Sequence, residues 1–214
     1  MSDVQPAVYV VDDDASFLAA VSRLLRAAGY VVRTYASAEG LLAEATDSPG
    51  CVIADLQMPG MGGLELQEAL TRLGYGWPVI FLTGQGDIPT SVRAMRKGAE
   101  DFLTKLAPKE ELIEAVERAL TRDSRQRAER TRMREVLARF EELTPREREV
   151  LSHVVRGRLN KQIAADLGIH ERTVKLHRAT LTTKLHVSSV AELARLVQEA
   201  GLFDIPSGSF TKGQ

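Results

Sequence analysis

The feature that most constrains this chain is an alternation. Over residues 1–120, short apolar runs take turns with stretches whose apolar side chains recur every three to four positions. The runs are AVYVV (7–11), YVVRTY (30–35), CVIA (51–54), PVIFL (78–82) and DFLT (101–104). After the first, Phe17, Val21, Leu24, Leu25 and Ala28 share one helical face, and Gly29 follows as a C-cap. Further helices are marked by Leu41 and Leu42, by Leu64, Leu66 and Leu70, by Val92 and Met95, and by Leu112, Val116 and Leu120. Repeated strand–helix units of this kind predict a doubly wound, five-stranded parallel sheet. CVIA and VIFL are apolar throughout, as strands covered on both faces must be.

The first run drives straight into Asp12, Asp13 and Asp14. Neighbouring carboxylates repel and do not all ionise cheaply unless a cation joins them. One reading is a solvated turn whose negative charge favours the helix that follows. The other is a metal site, because open α/β sheets place their ligands at the carboxyl ends of the strands. Reading the strand ends in turn gives Asp12 and Asp13, then Asp55, Thr83 and Lys105. Any one of these is an ordinary turn or cap residue; all five at their expected places form a chemical set. Mg²⁺ takes oxygen ligands and keeps waters, so three carboxylates suit it. Asp55, ahead of the open loop LQMPGMGG, is the candidate nucleophile, with Thr83 and Lys105 placed to bind phosphoryl oxygens. TGQGDIP (83–89) lacks the G-K-[ST] ending of a P-loop and reads as a mobile loop over the site.

VVDDD, DLQMPGMGGLEL and LTGQGDIPTSVRAMRKGAEDFLTK resemble the receiver domain of two-component response regulators, the FixJ-like branch in particular, from about Tyr9 to Leu120. The resemblance implies a flavodoxin-like fold, binding of Mg²⁺ or another divalent cation such as Mn²⁺, and phosphoryl transfer from a sensor histidine kinase to Asp55. Asp13, Asp55 and the backbone carbonyl of Gln57 would hold the metal, with Asp12 assisting through water. Thr83 and Lys105 would sense the phosphoryl group, and Phe102 stands where the family has an aromatic that reorients. The family places proline after the lysine, with a cis peptide; here Leu106 follows Lys105. A cis bond before a non-proline residue costs about 2.5–4 kcal/mol. Either that cost is tolerated or the loop runs differently, with Pro108 starting the next helix.

The formal net charge of −1 conceals a division. Residues 1–120 hold 10 Lys and Arg against 17 Asp and Glu, a balance of −7, and residues 121–214 hold 18 against 12, a balance of +6. The second half therefore suits an anionic partner. From Pro108 to Leu143 there is no glycine and no further proline. The centre, TRDSRQRAERTR (121–132), carries five arginines and almost nothing to bury, after which Met133, Val136, Leu137, Phe140 and Leu143 resume a helical stripe. One long helix, or two nearly continuous ones, with a solvated middle is expected over a linker at 121–142; a disordered linker is the alternative. Thr144, Pro145 and Glu147 then form a capping box with proline in its preferred place, so a new domain begins near residue 143. Its further helices are expected at Lys161–Leu167, Glu171–Lys184 and Ser189–Ala200, within an all-α domain at 143–203 and ahead of a frayed tail at 204–214.

Ala164, Gly168 and Val174 are spaced as in a helix-turn-helix, with Gly168 in the turn. The helix after the turn carries Arg172, Thr173, Lys175, His177 and Arg178, mostly on its outer face, which fits a major groove. LTPREREVL and NKQIAADLGIHERTVKLHRATLTTKL resemble the LuxR/NarL-type four-helix DNA-binding domain over about 143–200. Carried over, Lys175, Leu176 and Ala179 would face base edges of double-stranded DNA, and Lys161, Thr173, His177 and Arg178 would contact phosphates. His153, His170, His177 and His186 lack metal-ligand spacing and read as surface or interface residues. The lone Cys51, the lack of a basic-then-apolar leader and the lack of an apolar run near 18–20 residues predict a soluble cytoplasmic protein without a membrane partner. Together these readings predict a phosphorylated transcription regulator that dimerises on DNA. It would be no enzyme in its own right, only a phosphoacceptor that assists its own phosphorylation and dephosphorylation. Two rivals stand beside it. A regulator working without phosphorylation is one. An aspartate-nucleophile phosphohydrolase is the other, and it would need a carboxylate where Gln57 stands.

Overall fold

Five consecutive residues of the first apolar run, Ala7–Val11, form a strand buried along its whole length. Its side chains alternate between two cores: Tyr9 and Val11 enter one, Val8 and Val10 the other. That division sets the architecture of the first unit. The computed structural model describes residues 5–84, 94–96 and 98–202, and the chain divides into two compact units, Met1–Ala128 and Glu129–Gln214.

In the first unit the strands are β1 (Ala7–Val11), β2 (Val31–Tyr35), β3 (Gly50–Asp55), β4 (Val79–Thr83) and β5 (Asp101–Thr104). All pair in parallel, in the order β2-β1-β3-β4-β5. The three central strands are buried along their lengths, as their unbroken apolar runs require; the edge strands β2 and β5 are not. Helices α1 (Ala15–Ala27), α2 (Ala38–Glu44) and α3 (Gly63–Arg72) follow the first three strands. α1 packs with Leu112, Val116 and Ala119 on one face of the sheet, while Leu41, Leu66, Leu70 and Trp77 cover the other. The helix expected around Val92 and the loop at 84–89 fall largely outside the described residues, apart from Gly84 and a short helical stretch at 94–96.

The stretch without glycine forms one helix, α4 (Lys109–Glu141), of 33 residues. The expectation that its middle buries almost nothing is not met. Asp123 is 2% exposed. Its carboxylate accepts the Gly50 amide at 2.9 Å and the Arg127 Nε at 2.9 and 3.0 Å. Arg127 also reaches Asp47 Oδ1 at 2.8 Å and the Ser48 carbonyl at 2.7 Å. The boundary between the units, at Ala128/Glu129, thus falls inside the span read as a linker.

The second unit is helical: α5 (Pro145–Val155), α6 (Asn160–Leu167), α7 (Glu171–Lys184) and α8 (Val190–Glu199). The capping box of α5 is formed, with the Thr144 hydroxyl accepting the Glu147 amide and the Glu147 carboxylate accepting the Thr144 amide. Gly168 ends α6 at φ 63°, the left-handed conformation that glycine adopts without a Cβ penalty. Val150, Leu151, Ile163, Val174, Leu181 and Leu193 form the core, joined by Val136 and Phe140 from the end of α4.

Candidate functional site

Parallel strands bring their carboxyl ends to one edge, and there the three aspartates separate into three roles. Asp12, directly after β1, is 1% exposed. Asp13 is exposed. Asp14 is the N-cap of α1, accepting the Ser16 amide at 2.8 Å and the Phe17 amide at 3.2 Å. The cap reading of the acidic run therefore holds for Asp14, while Asp12 and Asp13 lie at the sheet edge where the other reading would put a metal. Asp55 is the last residue of β3 and is 8% exposed. α3 begins immediately beside it, because a Cβ on Gly63 would overlap the Asp55 carbonyl oxygen. Thr83 ends β4, 2% exposed, and its carbonyl accepts the Lys105 amide at 2.8 Å.

The Lys105 ammonium lies between the buried carboxylates, 2.6 Å from Asp12 Oδ2 and 3.0 Å from Asp55 Oδ2. Burial, aided by the nearby Asp55 charge, pushes the Asp12 carboxyl above its ordinary range, although Lys105 and the Asp14 amide pull the other way. Burial acts to lower Lys105, but its pairing with the Asp12 and Asp55 carboxylates outweighs that and raises it. Oxygens of Asp12, Asp13 and Asp55 lie within 4.8 Å of one another. Three carboxylates against one ammonium leave an excess of negative charge. Asp12 Oδ2 is buried and, despite its contact with Lys105, receives no properly directed hydrogen bond. A hard oxygen-donor set of this charge fits Mg²⁺ or Mn²⁺. Gln57 is exposed and its amide points to Asp55 Oδ1 at 3.4 Å. Phe102 is half-buried against the core of the α2–α3 face.

No peptide bond among the described residues is cis, so Lys105–Leu106 is trans. Residues 105–107 form a turn, closed by the Ala107 amide on the Thr104 carbonyl at 3.0 Å, and Leu106 is 91% exposed. Of the two possibilities left by Leu106, the loop takes the second.

On α7, Val174 and Leu181 are buried while Lys175, Leu176 and Ala179 are exposed on the opposite face. Leu176, at 66% exposure, is an apolar side chain left in solvent on a polar helix. Thr173, His177 and Arg178 are half-buried, and Lys161 is exposed in the first turn of α6. Arg178 Nη1 donates to Asn160 Oδ1 at 2.9 Å, tying α7 to the start of α6. Sequence reasoning passed over Asn160, and it also missed the Phe17 ring, which lies 4.5 Å from Lys105 Nζ. No local signal could have revealed either, since both contacts join distant elements.

Residues 8–117 match the response regulator receiver domain, and residues 141–197 match the luxR family of bacterial regulatory proteins. The chain belongs to the two-component response regulators that control transcription through a LuxR-type DNA-binding domain. It is 43% identical over 199 residues to the response regulator protein TodT of Pseudomonas putida, covering 92% of this chain and 88% of that protein. It is 40% identical over 195 residues to the transcriptional regulatory protein FixJ of Rhizobium meliloti, covering 91% of this chain and 96% of that one. Among solved structures, the response regulator StyR matches with a TM-score of 0.82 and 43% identity, over 91% of this chain and 99% of that chain. Among the described residues, no helix is long and apolar enough to cross a membrane.

Proposed function

We propose that this regulator is switched by phosphorylation of Asp55, received from the phosphohistidine of a sensor kinase in the presence of a divalent cation. The observation that carries the proposal is the placement of Asp55: a nearly buried carboxylate at a strand end, 3.0 Å from Lys105 and grouped with Asp12 and Asp13. An Asp55 oxygen forms the bond to phosphorus as the P–N bond of the donor breaks, the electron pair returning to the imidazole nitrogen. Asp12, Asp13 and Asp55, with the Gln57 carbonyl, would hold Mg²⁺, which supplies charge that shields the incoming phosphoryl oxygens. Lys105 neutralises those oxygens from the other side, and the Thr83 hydroxyl binds one of them. Nothing in this chemistry turns over a substrate; phosphorylated Asp55 is itself the product, and attack of water on its acyl phosphate releases inorganic phosphate, restores the carboxylate and resets the protein.

Phe102, half-buried on β5 beside Thr83's strand, is the side chain that would transmit occupancy of the site to the surface. Exposed apolar residues flank β5 in sequence at Met95 and Leu106, and a second copy covering this region would give the active dimer. Two α7 helices would then address paired half-sites, Lys175, Leu176 and Ala179 at base edges and Lys161, Thr173, His177 and Arg178 at phosphates. The test is treatment of the full-length protein with acetyl phosphate and Mg²⁺, read by mass and by oligomeric state. One phosphoryl group on the wild type and none on Asp55→Asn is expected; undiminished uptake by Asp55→Asn would move the nucleophile elsewhere.

A further inference from the structure

Lys105 is held from three sides. Asp12 Oδ2 and Asp55 Oδ2 take its ammonium at 2.6 and 3.0 Å, and the Phe17 ring faces it with Nζ 4.5 Å from the ring centroid. That distance lies within the roughly 6 Å over which a ring quadrupole attracts a cation. Phe17 is not a loose surface side chain. Its amide is fixed by the Asp14 cap at 3.2 Å, and its ring is half-buried against the core shared by β1, β3, β4 and α4. Lys105 is anchored independently, its amide bonded to the Thr83 carbonyl at 2.8 Å. Ring and ammonium are therefore brought together by two separately secured segments.

The two kinds of partner behave differently during phosphoryl transfer. Asp55 accepts a directed hydrogen bond from Lys105 and Asp12 pairs with it by charge, and on the phosphoacceptor reading both carboxylates would change partners when a cation binds and a phosphoryl group arrives. A ring face has no lone pair to reassign and tolerates sideways displacement of the charge. We infer that Phe17 is a positioning residue for phosphoryl transfer: its ring keeps the Lys105 ammonium over the strand ends while the carboxylates change partners, so that Nζ can follow the charge onto the phosphoryl oxygens. This inference rests on the reading of Asp55 as the phosphoacceptor. A competing account gives Phe17 only a packing role in the core beneath.

Two substitutions in the full-length protein separate these accounts. Phe17→Leu keeps an apolar side chain and removes the ring, whereas Phe17→Trp keeps a ring with a stronger quadrupole. The first measurement is a denaturation cycle on the metal-free protein, with Phe17→Leu, Lys105→Met and the double variant. Coupling of about two- to five-fold in the folding equilibrium constant is expected. The second is the rate of Asp55 phosphorylation by acetyl phosphate, a donor too small to depend on any docking surface. Phe17→Leu should slow it by about two- to five-fold, and Phe17→Trp should match or exceed the wild type. Additivity in the cycle, an unchanged Phe17→Leu rate, or equal slowing by Leu and Trp would each overturn the inference. Asp55→Asn, run in parallel, keeps the outcomes apart. If it takes up no phosphoryl group while Phe17→Leu reacts at the wild-type rate, only the role of Phe17 falls. If it takes up phosphoryl undiminished, the phosphoacceptor reading falls with it.

Discussion

Asp12, Asp13 and Asp14 are adjacent and chemically identical, yet the physical demands on them diverge within one turn of chain. Asp14 satisfies the free amides of α1, and Asp12 is buried against Lys105, while Asp13 is exposed. Asp13 is exposed and adds negative charge to the cluster, so Asp13→Ala should abolish Mg²⁺-dependent phosphorylation and leave the metal-free protein equally or more stable. Chemical denaturation without divalent cations checks this, and a clear loss of stability would make Asp13 a structural residue. On α7, Lys175 and Arg178 invite a similar contrast. Lys175 is exposed and only loosely paired, 3.7 Å from Glu171, whereas Arg178 is held by Asn160. Lys175→Ala should cost about 1–3 kcal/mol on cognate DNA alone. Arg178→Ala should weaken cognate and random duplexes alike and reduce the salt slope by about one ion per subunit. Equal losses for both variants on both duplexes would show α7 holding the backbone without reading sequence.

At the scale of elements, two helices owe their placement to polar contacts. Asp123 and Arg127 clasp α4 to the loop before β3, where Arg127 and the Trp77 indole N–H share the Ser48 carbonyl. Removing the cation leaves a buried carboxylate unpaired. Arg127→Met should therefore destabilise the first unit by about 3 kcal/mol, the low end for a broken buried pair, because Arg127 retains some exposure. Trp77, the one tryptophan of the chain, is the fluorescent reporter of that unfolding. In the second unit, burial acts to raise Glu147, but the hydrogen bonds from Lys184 and Thr144 outweigh it and hold the carboxyl below its ordinary range. A depressed carboxyl pKa adds stability that is present above the unfolded value of about 4.3 and lost as pH falls through the folded one. Hydrogen exchange across α5 should accelerate below about pH 4.3, and Glu147→Gln should flatten that dependence. A wild type whose α5 protection ignores acid would exclude the ion pair as a contributor.

Across the whole molecule, the charge division has a functional consequence. An acidic receiver and a basic DNA-binding half make weak, salt-sensitive binding by a single subunit the expected resting behaviour, and pairing multiplies two modest affinities. Phosphorylated wild type should prefer a duplex with two half-sites one helical turn apart over a single half-site by roughly a hundredfold. Asp55→Asn exposed to the same donor should show no gain. Titration of both duplexes at fixed salt decides it, and an equal preference with and without phosphorylation would uncouple dimerisation from Asp55.

Much of this was legible in the residues alone because it depends on period and position. Apolar alternation defines parallel strands, and parallel strands deliver their last residues to one edge. Asp12, Asp13, Asp55, Thr83 and Lys105 could therefore be grouped from their strand-end positions alone. The Thr144–Glu147 box and the Gly168 turn were equally plain, since capping and left-handed turns are local. Tertiary structure decided what depends on contacts between distant segments. It determined which aspartate is buried and which caps, and the trans turn that leaves Leu106 in solvent. It also brought the Phe17 ring to Lys105 and Asn160 to Arg178, and it buried Asp123 in a stretch that reads as pure spacer. Local pattern determines which element a residue joins and which way it faces; only the packing of elements determines which charge it meets.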